Sequence, residues 1–290
     1  MRFKSFLFII FSLFFCSGFI FSKTDPVRIR VSSDVIKIGE VLKVNVSSRR
    51  GIKKTSIGFT NRHFKFFKTH KKKERYVSYL AAARRIKSGM HVLKILITFN
   101  SGETFEKKIP IKVVRPAFKE GKVTLTKKKN DLSKSTKKLV NEGQIIGKAY
   151  RRNTYRRFFK GKFIQPAEGR ISSEFGKIRI YNDAYRRSHA GVDIANSEGS
   201  PVKASNGGIV LYSDFLPVHG NTVMIDHGRG IVSIYNHLSE CFVKRKDFVK
   251  KGQKIGSIGQ TGVATGPHVH WGISVQNVRI DPLYLTRVTL

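Results

Sequence analysis

The apolar residues of this chain recur at the two-residue period of a strand far more often than at the 3.6-residue period of a helix, and this limits the folds open to it. Val27-Arg28-Ile29-Arg30-Val31 and Val41-Leu42-Lys43-Val44-Asn45-Val46 alternate apolar with polar. His91-Val92-Leu93-Lys94-Ile95-Leu96-Ile97 and Lys107-Lys108-Ile109-Pro110-Ile111-Lys112-Val113-Val114 end the first such stretch, and Gly39, Gly51, Gly89 and Gly102 punctuate it. Short alternating strands at this spacing predict a small antiparallel β-sandwich of immunoglobulin-like type over residues 25–115. His63, His70 and His91 lie scattered among its lysines and read as solvated. Residues 165–290 are again cut into short Val- and Ile-rich runs, such as Gly208-Ile209-Val210-Leu211-Tyr212 and Thr222-Val223-Met224-Ile225-Asp226. Asn206-Gly207-Gly208 and Gly228-Arg229-Gly230 supply turns. No helical period stands out, so this part predicts an all-β domain. The expected fold class is mainly β, in two domains.

Residues 116–164 differ. They carry Lys127-Lys128-Lys129, Lys137-Lys138, Arg151-Arg152 and Arg156-Arg157, with apolar periodicity only around Leu132 to Ala149. The pattern predicts a basic linker with one or two helical turns, acting either as a solvated tether or as an electrostatic anchor to anionic polymer or lipid.

The chain as a whole holds 56 Lys plus Arg against 19 Asp plus Glu, a formal charge of +37. Such an excess implies polyanionic surroundings: nucleic acid, acidic lipid or the charged polymers of a cell envelope. The amino terminus chooses among these. Met1-Arg2-Phe3-Lys4 is a basic start, Phe6 to Phe15 is almost continuously apolar, and Ser17, Gly18 and Ser22 are small. Residues 1–22 therefore read as a secretory signal peptide, with a retained membrane anchor and a lipoprotein signal at Cys16 as alternatives. Each alternative exports the rest of the chain to the periplasm or cell envelope and leaves no specific nucleic-acid role. With two cysteines in all, Cys16 and Cys241, a chain that loses its signal has no internal disulfide and no cysteine-based metal cluster. Cys241 reads as a small buried apolar residue.

Three clusters in the last third carry chemistry. In His268-Val269-His270 the two imidazoles share one face of a strand while Val269 and Trp271 turn to the other. In Ser188-His189-Ala190-Gly191-Val192-Asp193 a glycine lets the chain bend so that His189 and Asp193 converge; neutral imidazole and carboxylate suit zinc. In Tyr235-Asn236-His237-Leu238, strand alternation puts His237 on the face of Tyr235. His219 and His227 read as loop and turn residues, and Trp271 as core.

In this order the clusters resemble the lysostaphin-type, M23 family of zinc metallopeptidases, over Gly169 to Pro282. The resemblance also rests on Arg170-Ile171-Ser172-Ser173-Glu174-Phe175-Gly176, on His219-Gly220-Asn221-Thr222-Val223 and on Thr261-Gly262-Val263-Ala264-Thr265-Gly266-Pro267 leading into His268. It implies one zinc ion held by His189, Asp193 and His270, with His237 and His268 as catalytic histidines and help from Tyr181 or Tyr185. The implied activity is a zinc metalloendopeptidase that cuts the stem peptides or cross-bridges of peptidoglycan in wall remodelling. Two other readings stay open: a non-catalytic family member that activates another wall hydrolase, and a basic envelope-binding protein.

Overall fold

The computed structural model describes residues 26–290, so the expected signal segment and Cys16 lie outside the described residues. Nine strands come first: β1 (Val27–Val31), β2 (Val35–Lys37), β3 (Leu42–Ser48), β4 (Ile52–Phe59), β5 (Arg62–Phe64), β6 (Phe67–Lys68), β7 (Glu74–Leu80), β8 (Gly89–Phe99) and β9 (Thr104–Val114). They form two sheets, in the orders β1-β3-β7-β6 and β2-β9-β8-β4-β5. The alternation read from the sequence is the alternation of burial. Val27 and Ile29 on β1, Val44 and Val46 on β3, and Leu93, Ile95 and Ile97 on β8 are buried, while the residues between them face outward or lie partly covered. All pairings in these two sheets are antiparallel but one: β2 runs parallel to β9. His63 and His70 are exposed and His91 is half-buried.

The basic segment has more structure than a tether. It holds β10 (Glu120–Val123), α1 (Lys127–Lys134) and α2 (Thr136–Tyr150). α2 has fifteen residues, and its buried face is Glu142, Ile146, Ala149 and Tyr150. Those positions have helical spacing, but a carboxylate occupies the first of them, which breaks the apolar stripe that periodicity detects. Beyond α2 the chain runs without regular structure, yet Phe159 and Phe163 are buried, and Phe159 meets Tyr79 edge-on at 6.1 Å between centroids. One continuous apolar core therefore runs from the amino-terminal sheets through this segment into the carboxy-terminal sheet.

The remaining elements are β11 (Arg170–Ser173), β12 (Ile178–Tyr181), β13 (Tyr185–Ser188), β14 (Val192–Ala195), β15 (Pro201–Lys203), β16 (Gly208–Leu216), β17 (Gly220–Gly228), β18 (Ile231–Cys241), β19 (Phe248–Val249), β20 (Lys254–Ile258), β21 (His268–Val275), β22 (Val278–Ile280) and α3 (Pro282–Arg287). Ten of the strands make one sheet whose main path is β11-β14-β21-β18-β17-β16-β19, while β10, β12 and β13 form a small sheet of their own. The short helix α3 is the one departure from an all-β reading of this part. Asp281 caps it by accepting from the Leu283 amide at 3.0 Å, and Pro282 opens it. At six residues it is too short to leave a period in the sequence. Val269, Trp271 and Ile273 fill the core beneath β21. Burial of a side chain such as Val269 or Ile273 contributes roughly 1.5–3 kcal/mol, so the strand that carries the paired histidines is pinned from below. Cys241 is a free thiol, half-buried against the same core. Among the described residues, no helix is long and apolar enough to cross a membrane.

Candidate active site

Three neighbouring strands converge on one cleft. In the pairing of β14 with β21, Asp193 lies opposite His270; in the pairing of β21 with β18, His270 lies opposite Asn236. His189 enters from the end of β13. Its Nε2 is 2.9 Å from Asp193 Oδ1 and 2.8 Å from His270 Nδ1, and His270 Nδ1 is 2.8 Å from the same Asp193 oxygen. Three donor atoms at the corners of so small a triangle are within reach of one ion at zinc's bond lengths of about 2.0–2.2 Å. All three residues are buried or nearly so. Two imidazoles and a carboxylate are a donor set that zinc accepts, so the residues present fit the group that the motif implies.

Backbone carbonyls set the tautomers. His189 donates its Nδ1–H to the Glu174 carbonyl at 2.9 Å, which leaves the Nε2 lone pair facing inward. His237 donates Nδ1–H to Thr261 O and His268 donates Nδ1–H to Gly266 O, each at 2.8 Å. Each of these two rings then presents Nε2 as the free nitrogen, and their centroids are 4.9 Å apart. The two stand beside the triangle without belonging to it: His268 Nε2 is 3.9 Å from the second oxygen of Asp193. Burial pushes the Asp193 carboxyl up, but His189 and His270 outweigh it and hold the group well below the usual carboxylate range. Burial, reinforced by the neighbouring rings of His268 and His270, holds His237 well below the ordinary imidazole range. Burial likewise lowers His270, to about 4, against the pull of the Asp193 carboxylate.

His237 does not share a face with Tyr235, contrary to the alternation of the sequence. Tyr235 is buried on the core side, where its hydroxyl meets Ser205 and Ser233, while His237 lines the cleft with Ile234 and Asn236. The β17–β18 register slips between Asn221/Leu238 and Val223/Tyr235, giving β18 an extra residue, and His237 takes φ of +64° there. Such a bulge re-aims one side chain, and the left-handed backbone is tolerated where surrounding contacts fix it. The His237 amide is fixed by donating to His219 O at 2.9 Å.

Several residues of the cleft wall are not evident from the sequence. Arg179 on β12 pairs with the Asp193 oxygen that His189 and His270 do not share. Tyr181 and Tyr185, which the resemblance did name, stack at 5.1 Å and both line the cleft; the Tyr185 hydroxyl is hydrogen-bonded to Ser133 of α1, a residue the sequence did not mark. Glu142 of α2 accepts from the Val218 amide at 2.7 Å and from His219 Nδ1 at 2.5 Å, so His219, in the turn between β16 and β17 as its sequence reads, is also a wall residue. One signal was available: Glu142 is an acidic residue in a strongly basic segment.

Residues 187–282 match the model of Peptidase family M23. This part of the chain is an M23 peptidase domain. It is 38% identical over 127 residues to the DD-carboxypeptidase/endopeptidase Mpg of Neisseria meningitidis, covering 43% of this chain and 29% of that protein. It is 36% identical over 156 residues to the peptidoglycan DD-endopeptidase ShyA of Vibrio cholerae, covering 50% of this chain and 36% of that one. The chain thus spans about a third of the length of the curated relatives it matches. A Pseudomonas aeruginosa crystal structure assigned to peptidase M23 aligns over 86% of this chain and 93% of its own, with a TM-score of 0.62 and 24% identity. That likeness shows the fold. It extends well beyond the M23 domain into the amino-terminal sheets.

His227 of the M23 domain has a structural task. It is fully buried, donates Nδ1–H to Gly207 O and is hydrogen-bonded through Nε2 to Ser233 Oγ, at 2.8 Å each, and burial lowers its pKa to about 4. A base whose folded pKa lies below its unfolded value of about 6.5 favours folding above that value. The contribution is lost as pH falls from about 6.5 towards 4. Denaturant unfolding at pH 7 and pH 4.5 should show His227→Gln losing about 2–3 kcal/mol less than the unsubstituted protein over that interval. Equal losses in the two proteins would refute this account.

Proposed function

We propose that the chain is an exported zinc metalloendopeptidase that hydrolyses peptide bonds in peptidoglycan at the cell envelope. The observation that carries this reading is the triangle of His189, Asp193 and His270 beside the free Nε2 atoms of His237 and His268. A zinc ion in that site supplies Lewis acidity, which polarises a peptide carbonyl and acidifies water at neutral pH. His189, Asp193 and His270 hold it. Asp193 contributes the negative charge, and Arg179 occupies its second oxygen so that the first stays turned to the two imidazoles. His237 and His268, oriented by backbone carbonyls with Nε2 free, accept a proton from water at Nε2; protonated there, the ring donates a hydrogen bond to the developing oxyanion or returns the proton to the departing amine. The two carboxylates placed at this site are already engaged, Asp193 by His189, His270 and Arg179 and Glu142 by Val218 and His219, which leaves the base role to the histidines.

The relatives Mpg and ShyA, named for DD-carboxypeptidase and DD-endopeptidase activity, support peptidoglycan peptides as the substrate class and the envelope as the place of work. A non-catalytic activator would have no need of all five residues in this arrangement. The purified chain is expected to hold about one zinc and to release peptide-cleaved fragments from purified peptidoglycan, read by mass analysis. Full zinc occupancy in a His189→Ala or Asp193→Ala protein, or intact peptidoglycan after incubation with the zinc-loaded chain, would sink the reading.

A further inference from the structure

We infer that the cleft selects peptides bearing a free carboxylate close to the bond that is cut, and that Arg187 and Arg279 bind that carboxylate. The inference deepens the peptide-hydrolase reading above and rests on it.

Three guanidinium groups, those of Arg179, Arg187 and Arg279, line the same cleft as His189, His237 and His270. Arg179 is already paired with Asp193. Arg187 and Arg279 are exposed at the cleft and form no ion pair with a carboxylate among the described residues. Each is held against an aromatic wall. The Arg187 guanidinium carbon is 5.2 Å from the centre of the Tyr185 ring, and its Nη2 donates to Ser133 O at 3.0 Å. The Arg279 guanidinium carbon is 5.7 Å from the centre of the Tyr150 ring. Arg187 spends one N–H on Ser133 O and Arg279 one on Tyr150, and the N–H groups that remain on each guanidinium can donate to a carboxylate, in a two-bond fork where two of them share an edge.

The charge of these two arginines is not neutralised by an ion pair. Asp193 is taken up by its three partners, and Glu142, behind the wall, by Val218 and His219, so neither carboxylate pairs with Arg187 or Arg279. Arg84, which donates to His189 O at 3.3 Å, is held below the usual guanidinium range by burial and then by the positive charge of Arg279 and Arg85. Most of the +37 formal charge faces water, where salt screens it. A concave wall focuses its field on whatever enters. What enters in the proposed reaction is a peptide, so the matching anion is a carboxylate of that peptide.

The test uses two short peptides of one sequence, with all carboxylates free in the first and amidated in the second. Each is titrated against the full zinc-loaded chain at physiological ionic strength, and cleavage is followed separately by mass spectrometry. The free-carboxylate peptide should bind roughly tenfold to a hundredfold more tightly, the range of a charge-assisted hydrogen-bonded pair. Arg187→Gln and Arg279→Gln should each narrow that ratio, and Arg279→Lys, which keeps the charge without the fork, should narrow it less than Arg279→Gln. Lys71→Gln, on an exposed loop between β6 and β7, should leave the ratio unchanged and so reports general attraction to a basic protein. The inference is overturned if the two peptides bind alike, or if the arginine variants narrow the ratio no more than Lys71→Gln does. Failure to cut either peptide speaks against the peptidase reading alone, because the binding ratio still decides the carboxylate site.

Discussion

His268→Ala should keep its zinc and lose roughly 10²–10⁴-fold in rate, the usual contribution of a positioned acid–base group, whereas His270→Ala should lose zinc and activity together. The two residues are separated by Val269 alone and share a strand face, so a general disturbance of β21 would affect both alike. On the proposed reading they do different work. His270 Nδ1 is a corner of the donor triangle, 2.8 Å from both His189 Nε2 and Asp193 Oδ1. Without it only two donors remain, fewer than the three protein ligands of a catalytic zinc site. His268 instead turns its Nδ1–H to Gly266 O and stands with Nε2 3.9 Å from the outer oxygen of Asp193. Removing it leaves the triangle whole and takes away a free nitrogen over the cleft. His237→Ala should behave like His268→Ala, because its ring is held by Thr261 O outside the triangle. Zinc content, folding and turnover measured on the three proteins decide the matter. A His268→Ala protein that is folded but free of metal, or folded and fully active, would contradict the division of roles.

The strand periods and the histidine pair were legible in the sequence because both depend on local rules. Alternation on β3 and β8 follows from the period of two, and so does the shared face of His268 and His270 over Val269 and Trp271. His237 was misplaced onto the face of Tyr235 because a bulge is a property of two strands: it appears only when β17 and β18 are paired and one holds a residue more than the other. The cleft wall was hidden for a different reason. Ser133, Ile146 and Tyr150 come from a segment whose composition is dominated by solvated lysines, and the carboxylate of Glu142 interrupts the stripe that would have marked α2. Glu142 becomes intelligible only beside Val218 and His219, which lie more than seventy residues further along. Arg179, Arg187 and Arg279 are equally unremarkable among 56 basic residues until the sheet brings them to one cleft.

Gly191→Ala should weaken zinc binding and slow turnover about 100-fold, although residue 191 offers no side chain to the cleft. In the sequence this glycine reads as a bend between His189 and Asp193, but the structure gives it a stricter role. A Cβ built there would fall 2.3 Å from the carbonyl oxygen of Trp271 and 2.9 Å from Cε1 of His270. The nearer contact is backbone, which no rotamer change relieves. Relief requires β14 to move away from β21, and these two strands hold Asp193 opposite His270 in register. A shift of several tenths of an ångström would open a triangle whose edges are 2.8–2.9 Å. Misplacement on the scale of 1 Å at a reacting centre can cost about 100-fold, and forcing an extra carbon into a closed contact costs typically about 1–3 kcal/mol of stability. The variant should therefore fold less stably, bind zinc more weakly and turn over about 100-fold more slowly. Gly199→Ala is the matched control for loss of a glycine: it carries positive φ in an exposed turn, with open space where its Cβ would go. It should cost some stability through backbone strain and leave zinc binding intact. Zinc affinity and denaturant midpoints for the two proteins separate the explanations. Unchanged zinc affinity in Gly191→Ala would mean that the two strands part without disturbing the ligands, and that the close approach of residue 191 to Trp271 does not hold the site together.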